Sequence, residues 1–214
     1  MSNSKFAAAA KKIDPDPYQG GFTVSLLTHE DIPAFLAIQD ACREVLPDDL
    51  KHHLKERTFE DLVHHLDSGM PLIGVKTDNG ILAGQILMSF PTNQAAKNLD
   101  GYPIRTGQEN VTAIVQSVAI HPDFRGPLYG LSKILHDRVL ELAQEYQQTR
   151  LIAKVSDTNP ASQKSFMNNG FTEAAKGEDP VKHYKVTFFA KDVSLGANGC
   201  GAASATLVLV RQIA

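Results

Sequence analysis

The chain has 214 residues, 43% of them hydrophobic and 21% charged, with Lys+Arg 21 against Asp+Glu 24 for a net charge of −3. That composition excludes wholesale disorder, and the mildly acidic balance argues against a protein whose main task is gripping a nucleic-acid backbone. Cys42 and Cys200 make no disulfide scaffold, no His/Cys cluster has zinc spacing, and no apolar run approaches the roughly 20 residues of a spanning helix. The expected setting is therefore reduced and cytoplasmic, with no metal, nucleic-acid or membrane partner.

Residues 1–21 read as an arm, because Asp14-Pro15-Asp16-Pro17 resists helix and strand alike and Gly20-Gly21 follows. A strand is expected over 22–27. Thr28 with Asp31 resembles a capping box, and Ile32, Phe35, Leu36, Cys42, Val45 and Leu46 then recur at helical spacing until Pro47. Thr58 with Asp61 starts a second helix, with Phe59, Leu62, Val63 and Leu66 on one face and Gly69 at its end. His52-His53 and His64-His65 are adjacent pairs, not the i, i+4 pair of a helical metal site, and read as solvated.

Residues 72–76 and 81–90 read as a hairpin around Thr77-Asp78-Asn79-Gly80, where Asn-Gly supplies positive φ. The polar stretch 91–110 is a long connection. A β-branched strand follows over 111–120, then an amphipathic helix over 127–148 with Leu131, Ile134, Leu135, Val139, Leu142, Ala143 and Tyr146 in one stripe. Strands over 151–155, 171–175 and 183–192, a short helix over 159–169, a Gly/Ala-rich loop over 196–203 and a last strand over 205–210 complete one α/β domain, its body at 22–193 and its tail at 194–214. The tail's G-A-N-G-C-G lacks the strand–helix context of a nucleotide fingerprint.

The chemistry-bearing stretch is V-Q-S-V-A-I-H-P-D-F-R-G-P-L-Y-G-L-S-K-I-L, residues 115–135. A helix's first amides lack intrahelical acceptors and sit at the positive end of its dipole, so strand–turn–helix is a natural cradle for a diphosphate. With Pro127 at the first helical position, Leu128, Tyr129 and Gly130 would donate, and Arg125 would add charge. Taken alone, R-G-x-x-x-G serves a tight turn equally well, and the Walker pattern is absent.

Together these residues resemble the acetyl-CoA-binding motif of the GNAT acetyltransferase superfamily, [QR]-x-x-G-x-[GA]: Arg125 matches the first position, Gly130 the last, and Leu128 replaces the middle glycine. Asn159, Ser162, Gly170 and Phe171 resemble the family's N-x-x-A-x-x-x-Y-x-x-x-G-F segment. The resemblance implies a mixed central sheet of six to eight strands flanked by four helices, with the fourth and fifth strands splayed. It also implies acetyl-CoA as cosubstrate, its pantetheine paired with the backbone of Val118, Ala119 and Ile120, its diphosphate on Arg125, Gly126, Pro127, Leu128, Tyr129 and Gly130, and Asn159 as a further cofactor-binding residue.

The implied activity is N-acetyl transfer to an amine by direct attack on the thioester. Two usual proton-transfer positions differ: Gln116 stands for a glutamate base and Phe166 for a tyrosine acid. Gln116, Ser165 and Tyr184 are therefore the catalytic candidates, with His183 and Glu109 as further substitutes, while His121 reads as a loop histidine. A GNAT-fold acyl-CoA-binding or regulatory protein is the alternative, and a nucleotide-binding α/β protein a more distant one. The extra carboxyl-terminal strand would allow a homodimer edge.

Overall fold

The computed structural model describes residues 18–91, 102, 104, 107–126, 128–180, 183–195 and 208–209. The expectations for residues 1–17, the 92–101 stretch, Pro127, the 196–203 loop and Cys200 fall outside the described residues, as do the side chains of His52 and His53.

Eight strands and four α-helices occur among the described residues: β1 (Phe22–Leu26), α1 (Ile32–Glu44), α2 (Phe59–Asp67), β2 (Leu72–Thr77), β3 (Leu82–Ser89), β4 (Thr112–Ile120), α3 (Leu131–Glu145), β5 (Arg150–Ser156), α4 (Pro160–Asn168), β6 (Thr172–Glu178), β7 (Lys185–Asp192) and β8 (Val208–Leu209). They pack as two compact units, one within 1–87, 117–135 and 205–214, the other within 88–116 and 136–204.

In the first unit the strands are hydrogen-bonded in the order β3-β2-β1-β8, and β1 pairs antiparallel with both β2 and β8. Helix α1 starts where the sequence predicts: the Asp31 carboxylate accepts the Thr28 N–H at 2.9 Å and is itself held by Lys76 Nζ at 2.6 Å. At α2 the capping box closes both ways, with Thr58 N–H donating to Asp61 Oδ2 at 3.0 Å and Asp61 N–H to Thr58 Oγ1 at 3.1 Å. Leu27, Ile32, Phe35, Ile38, Cys42, Leu62, Leu72, Leu82 and Leu87 bury their side chains together, the helical and strand periodicities converging on one core. His65 joins that buried set, contrary to the solvated reading, because it lies on the inward face of α2 three residues after Leu62; His64 is exposed.

The β2–β3 hairpin forms, but Asn79 keeps a negative φ and only Gly80 is left-handed (φ 76°). Gly80 N–H donates to Thr77 O at 2.8 Å and Thr77 N–H to Ile81 O at 2.9 Å, so the loop has three residues and the register shifts between Val75 and Lys76.

In the second unit the order is β6-β7-β5-β4. The parallel β4–β5 ladder matches Thr112–Val115 with Arg150–Ala153 and stops there, although β5 continues to Ser156. The antiparallel β5–β7 ladder is continuous from Arg150↔Asp192 to Ser156↔Val186, and β6 pairs with β7 with an irregularity between Glu173 and Ala175. Phe166 of α4 is buried against Phe171, Phe189 and the His136 ring.

Helix ends account for several motif residues. Gly170 is left-handed, Gly170 N–H donates to Met167 O, Phe171 N–H donates to Phe166 O, and the two rings meet at 5.1 Å. This is a Schellman cap with its hydrophobic contact, and it accounts for Gly-Phe following α4. Helix α3 ends the same way, with Gln147 left-handed (φ 56°), Gln147 N–H on Gln144 O and Gln148 N–H on Ala143 O. The helix therefore runs Leu131–Glu145 and not 127–148.

Candidate active site

Beyond Val115 the residues of β4 change from buried to half-exposed, and Ser117 takes φ 50°, an unfavourable backbone for a side-chain-bearing residue. His121 N–H donates to Ala83 O at 2.9 Å, which orients that residue toward β3. By strand alternation the backbone groups of Val118 and Ile120 then point to the opposite edge, two of the three residues expected to pair with pantetheine. The Ile120 carbonyl is already engaged: Arg125 Nε donates to it at 3.0 Å and the Cys42 thiol at 3.4 Å.

The turn that follows is built by its own side chains. His121 Nδ1 accepts the Asp123 N–H at 3.3 Å and starts a short 3-10 turn over Pro122–Phe124. Burial holds the His121 imidazole below its usual pKa, with Asp123 opposing and Arg125 reinforcing the shift, so a capping role suits the neutral ring. Phe124 is buried among Tyr18, Phe22 and Tyr129, and the Tyr129 hydroxyl accepts the Tyr18 N–H at 2.9 Å. Tyr129 thus commits its side chain to the core, whereas Leu128 is 66% exposed. Gly126 (φ 127°) and Gly130 (φ 61°) take conformations that L side chains resist, which gives both motif glycines a backbone reason.

Ile134 N–H donates to Gly130 O at 3.2 Å, so Gly130 caps α3. Helix α3 therefore opens at Leu131, so Leu128 and Tyr129, expected from sequence to donate from its first turn, precede it. A helix start capped by a left-handed glycine is compatible with a diphosphate.

The remaining candidates belong to the second unit. Gln116 Nε2 donates to Ser89 Oγ at 3.3 Å. Asn159 caps α4, its Oδ1 accepting the Ser162 N–H at 3.0 Å. Ser165 lies on α4, where its carbonyl accepts from Asn169 Nδ2 at 2.8 Å. Tyr184 is half-buried; burial raises its pKa above the ordinary phenol value, and the Asp179 charge adds to the rise. Asp179 is paired with Lys154 at 2.8 Å. His183 is exposed beside Glu178, and Glu109 opens a 3-10 turn before β4.

Two residues that support the turn in the first unit were not legible in that role from the sequence: Cys42, read only as a core position of the first helix, and Tyr18. Each is more than 75 positions from its partner in the turn (83 for Cys42–Arg125, 111 for Tyr18–Tyr129), beyond any local pattern. Among the described residues no group of three His, Cys, Asp or Glu side chains could hold a metal, and no helix is long and apolar enough to cross a membrane.

Comparison with known proteins agrees with this architecture. Among solved structures, one provisionally described as a phosphinothricin N-acetyltransferase is 25% identical, with TM-score 0.57, over 81% of this chain and 99% of that one. An N-acetyltransferase from Staphylococcus aureus Mu50 is 18% identical (TM-score 0.60, 81% and 99%). A GNAT superfamily phosphinothricin acetyltransferase from Sinorhizobium meliloti, in complex with acetyl-CoA, is 16% identical (TM-score 0.60, 87% and 95%). Among curated proteins the sequence finds no match. The family model for the acetyltransferase (GNAT) family matches residues 33–171, more than half of the sequence and all of β4, the glycine turn and α3, and the chain belongs to that family.

Proposed function

We propose that the protein transfers the acetyl group of acetyl-CoA to a primary amine. The observation that carries this reading is the turn between β4 and α3: a left-handed Gly130 caps the helix, ten residues after the end of a strand whose Val118 and Ile120 amides face an edge without β3. The positive end of the α3 dipole would hold the diphosphate, and the Val118 and Ile120 amides would pair with the pantetheine arm. The Sinorhizobium neighbour's complex with acetyl-CoA supports the choice of cosubstrate.

In the reaction a neutral amine nitrogen forms the N–C bond and the C–S bond breaks. One proton leaves the amine and one reaches the sulfur. A thiol pKa of about 8.5 makes the thiolate a tolerable leaving group, and general acid–base help typically contributes about 10²–10⁴-fold. Phe166 is buried and has no proton to give, so the hydroxyl of Tyr184 is one to compare as proton donor to the sulfur, by thiol release in Tyr184→Phe. Ser165 is the second hydroxyl to compare.

Titration calorimetry with acetyl-CoA tests the cradle. Micromolar binding by the wild type, lost in Gly130→Glu with circular dichroism unchanged, is expected; wild-type silence at high micromolar cofactor would overturn the reading. Thiol release over a panel of spermidine, L-phosphinothricin and a peptide with a free amino-terminal alanine tests transfer. The engagement of Gln116 by Ser89 favours a second reading, an acyl-CoA-binding regulatory protein, which predicts binding with no amine accelerating thiol release.

A further inference from the structure

Among the described residues the Arg125 side chain makes two directed contacts, and both lead back into its own unit. Its Nε donates to Ile120 O at 3.0 Å and its Nη2 to Cys42 Sγ at 3.1 Å, while the Cys42 thiol donates to Ile120 O at 3.4 Å. The three groups form a closed ring that joins α1, the end of β4 and the glycine turn. Cys42 is 3% exposed, whereas Arg125 is exposed on its outer side. A guanidinium has five N–H donors in a rigid fork, so fixing two of them fixes the direction of the other three.

We propose that Cys42 is a positioning residue for cofactor binding: with the Ile120 carbonyl, it locks the Arg125 guanidinium so that its outer N–H groups are preset toward the anionic part of acetyl-CoA. The proposal rests on the acetyl-CoA reading above. The same ring occupies the Ile120 carbonyl and so leaves Val118 as the residue of that edge offering both N–H and C=O to the pantetheine. Burial pushes the Cys42 thiol pKa up despite the Arg125 charge beside it, so the sulfur keeps the hydrogen it donates.

A double-mutant cycle on the full chain tests the idea, with acetyl-CoA affinity read by calorimetry and folding by thermal denaturation. Cys42→Ala frees the guanidinium and is expected to weaken acetyl-CoA binding about tenfold, the scale of ordering one long charged side chain at the moment of binding. Cys42→Ser retains a donor and an acceptor and is expected to stay within about threefold of wild type. Arg125→Ala weakens binding, and adding Cys42→Ala to it is expected to change affinity no further. A cavity effect of Cys42→Ala would lower Tm in both backgrounds, so affinity separates positioning from packing. Wild-type affinity in Cys42→Ala, or an equal loss in the Arg125→Ala background, overturns the proposal while leaving the acetyl-CoA reading intact. Failure of the wild type to bind acetyl-CoA overturns both.

Discussion

Gln147 sits at φ 56° in the position after α3 that glycine commonly fills, and the cap hydrogen bonds are made regardless. A Cβ in that region is unfavourable by about 1–2 kcal/mol, part of which glycine's greater freedom in the unfolded chain offsets. Gln147→Gly should therefore stabilise the protein by up to about 1 kcal/mol in chemical denaturation. Asp31 offers a different residue-level test. Desolvation would raise its pKa, but the hydrogen bonds from Lys76 and Thr28 and the Lys76 charge together hold it below the ordinary carboxylate value. A depressed carboxylate contributes stability above its unfolded pKa and loses it as pH falls through the folded value. Asp31→Asn should thus lower stability at neutral pH and narrow the gap to wild type below pH 4, measured as Tm against pH. The partners of these groups differ in how readable they are: Thr28 lies three positions from Asp31 and is legible as a cap, whereas Lys76 lies 45 positions away and is not.

Among the elements, α4 illustrates a motif that doubles as packing. Its Asn159 cap, Gly170 turn and Phe171 contact are all local and could be read directly from sequence. Phe166 reads in sequence as a lost proton donor; the structure adds its stacking on Phe189 and its edge contacts with Phe171 and the His136 ring. Phe166→Ala is expected to destabilise by about 3–5 kcal/mol, read from the shift in denaturant midpoint. Helix α3 shows the converse. Its apolar stripe fixed its existence, but its start could not be read because Tyr129 belongs to an aromatic cluster with Tyr18, Phe22 and Phe124, which pulls the residues before Gly130 out of the helix. The hairpin turn was likewise legible as a turn, while the single left-handed residue depended on the register adopted by β2 and β3.

For the whole molecule, ligand linkage provides the broadest check. Acetyl-CoA at a hundred times its Kd should add about 2.7 kcal/mol to the free energy of unfolding. At roughly 2–4 °C per kcal/mol for a chain of this size, Tm should rise by roughly 5–11 °C, and Gly130→Glu should abolish the rise. Family and sheet composition could be read from two spaced motifs and the order of elements; the acceptor could not, because no motif in the sequence specifies one.

Strand β6 has one further consequence. Its residues are exposed except for a half-covered Ala175, it pairs with β7 among the described residues, and its ladder breaks between Glu173 and Ala175. An open flank of this kind invites self-templating growth into fibrils, yet Glu173, Lys176 and Glu178 put charge along it and the break twists it away from a flat partner. The protein thus carries its own guard against strand-by-strand polymerisation at high concentration.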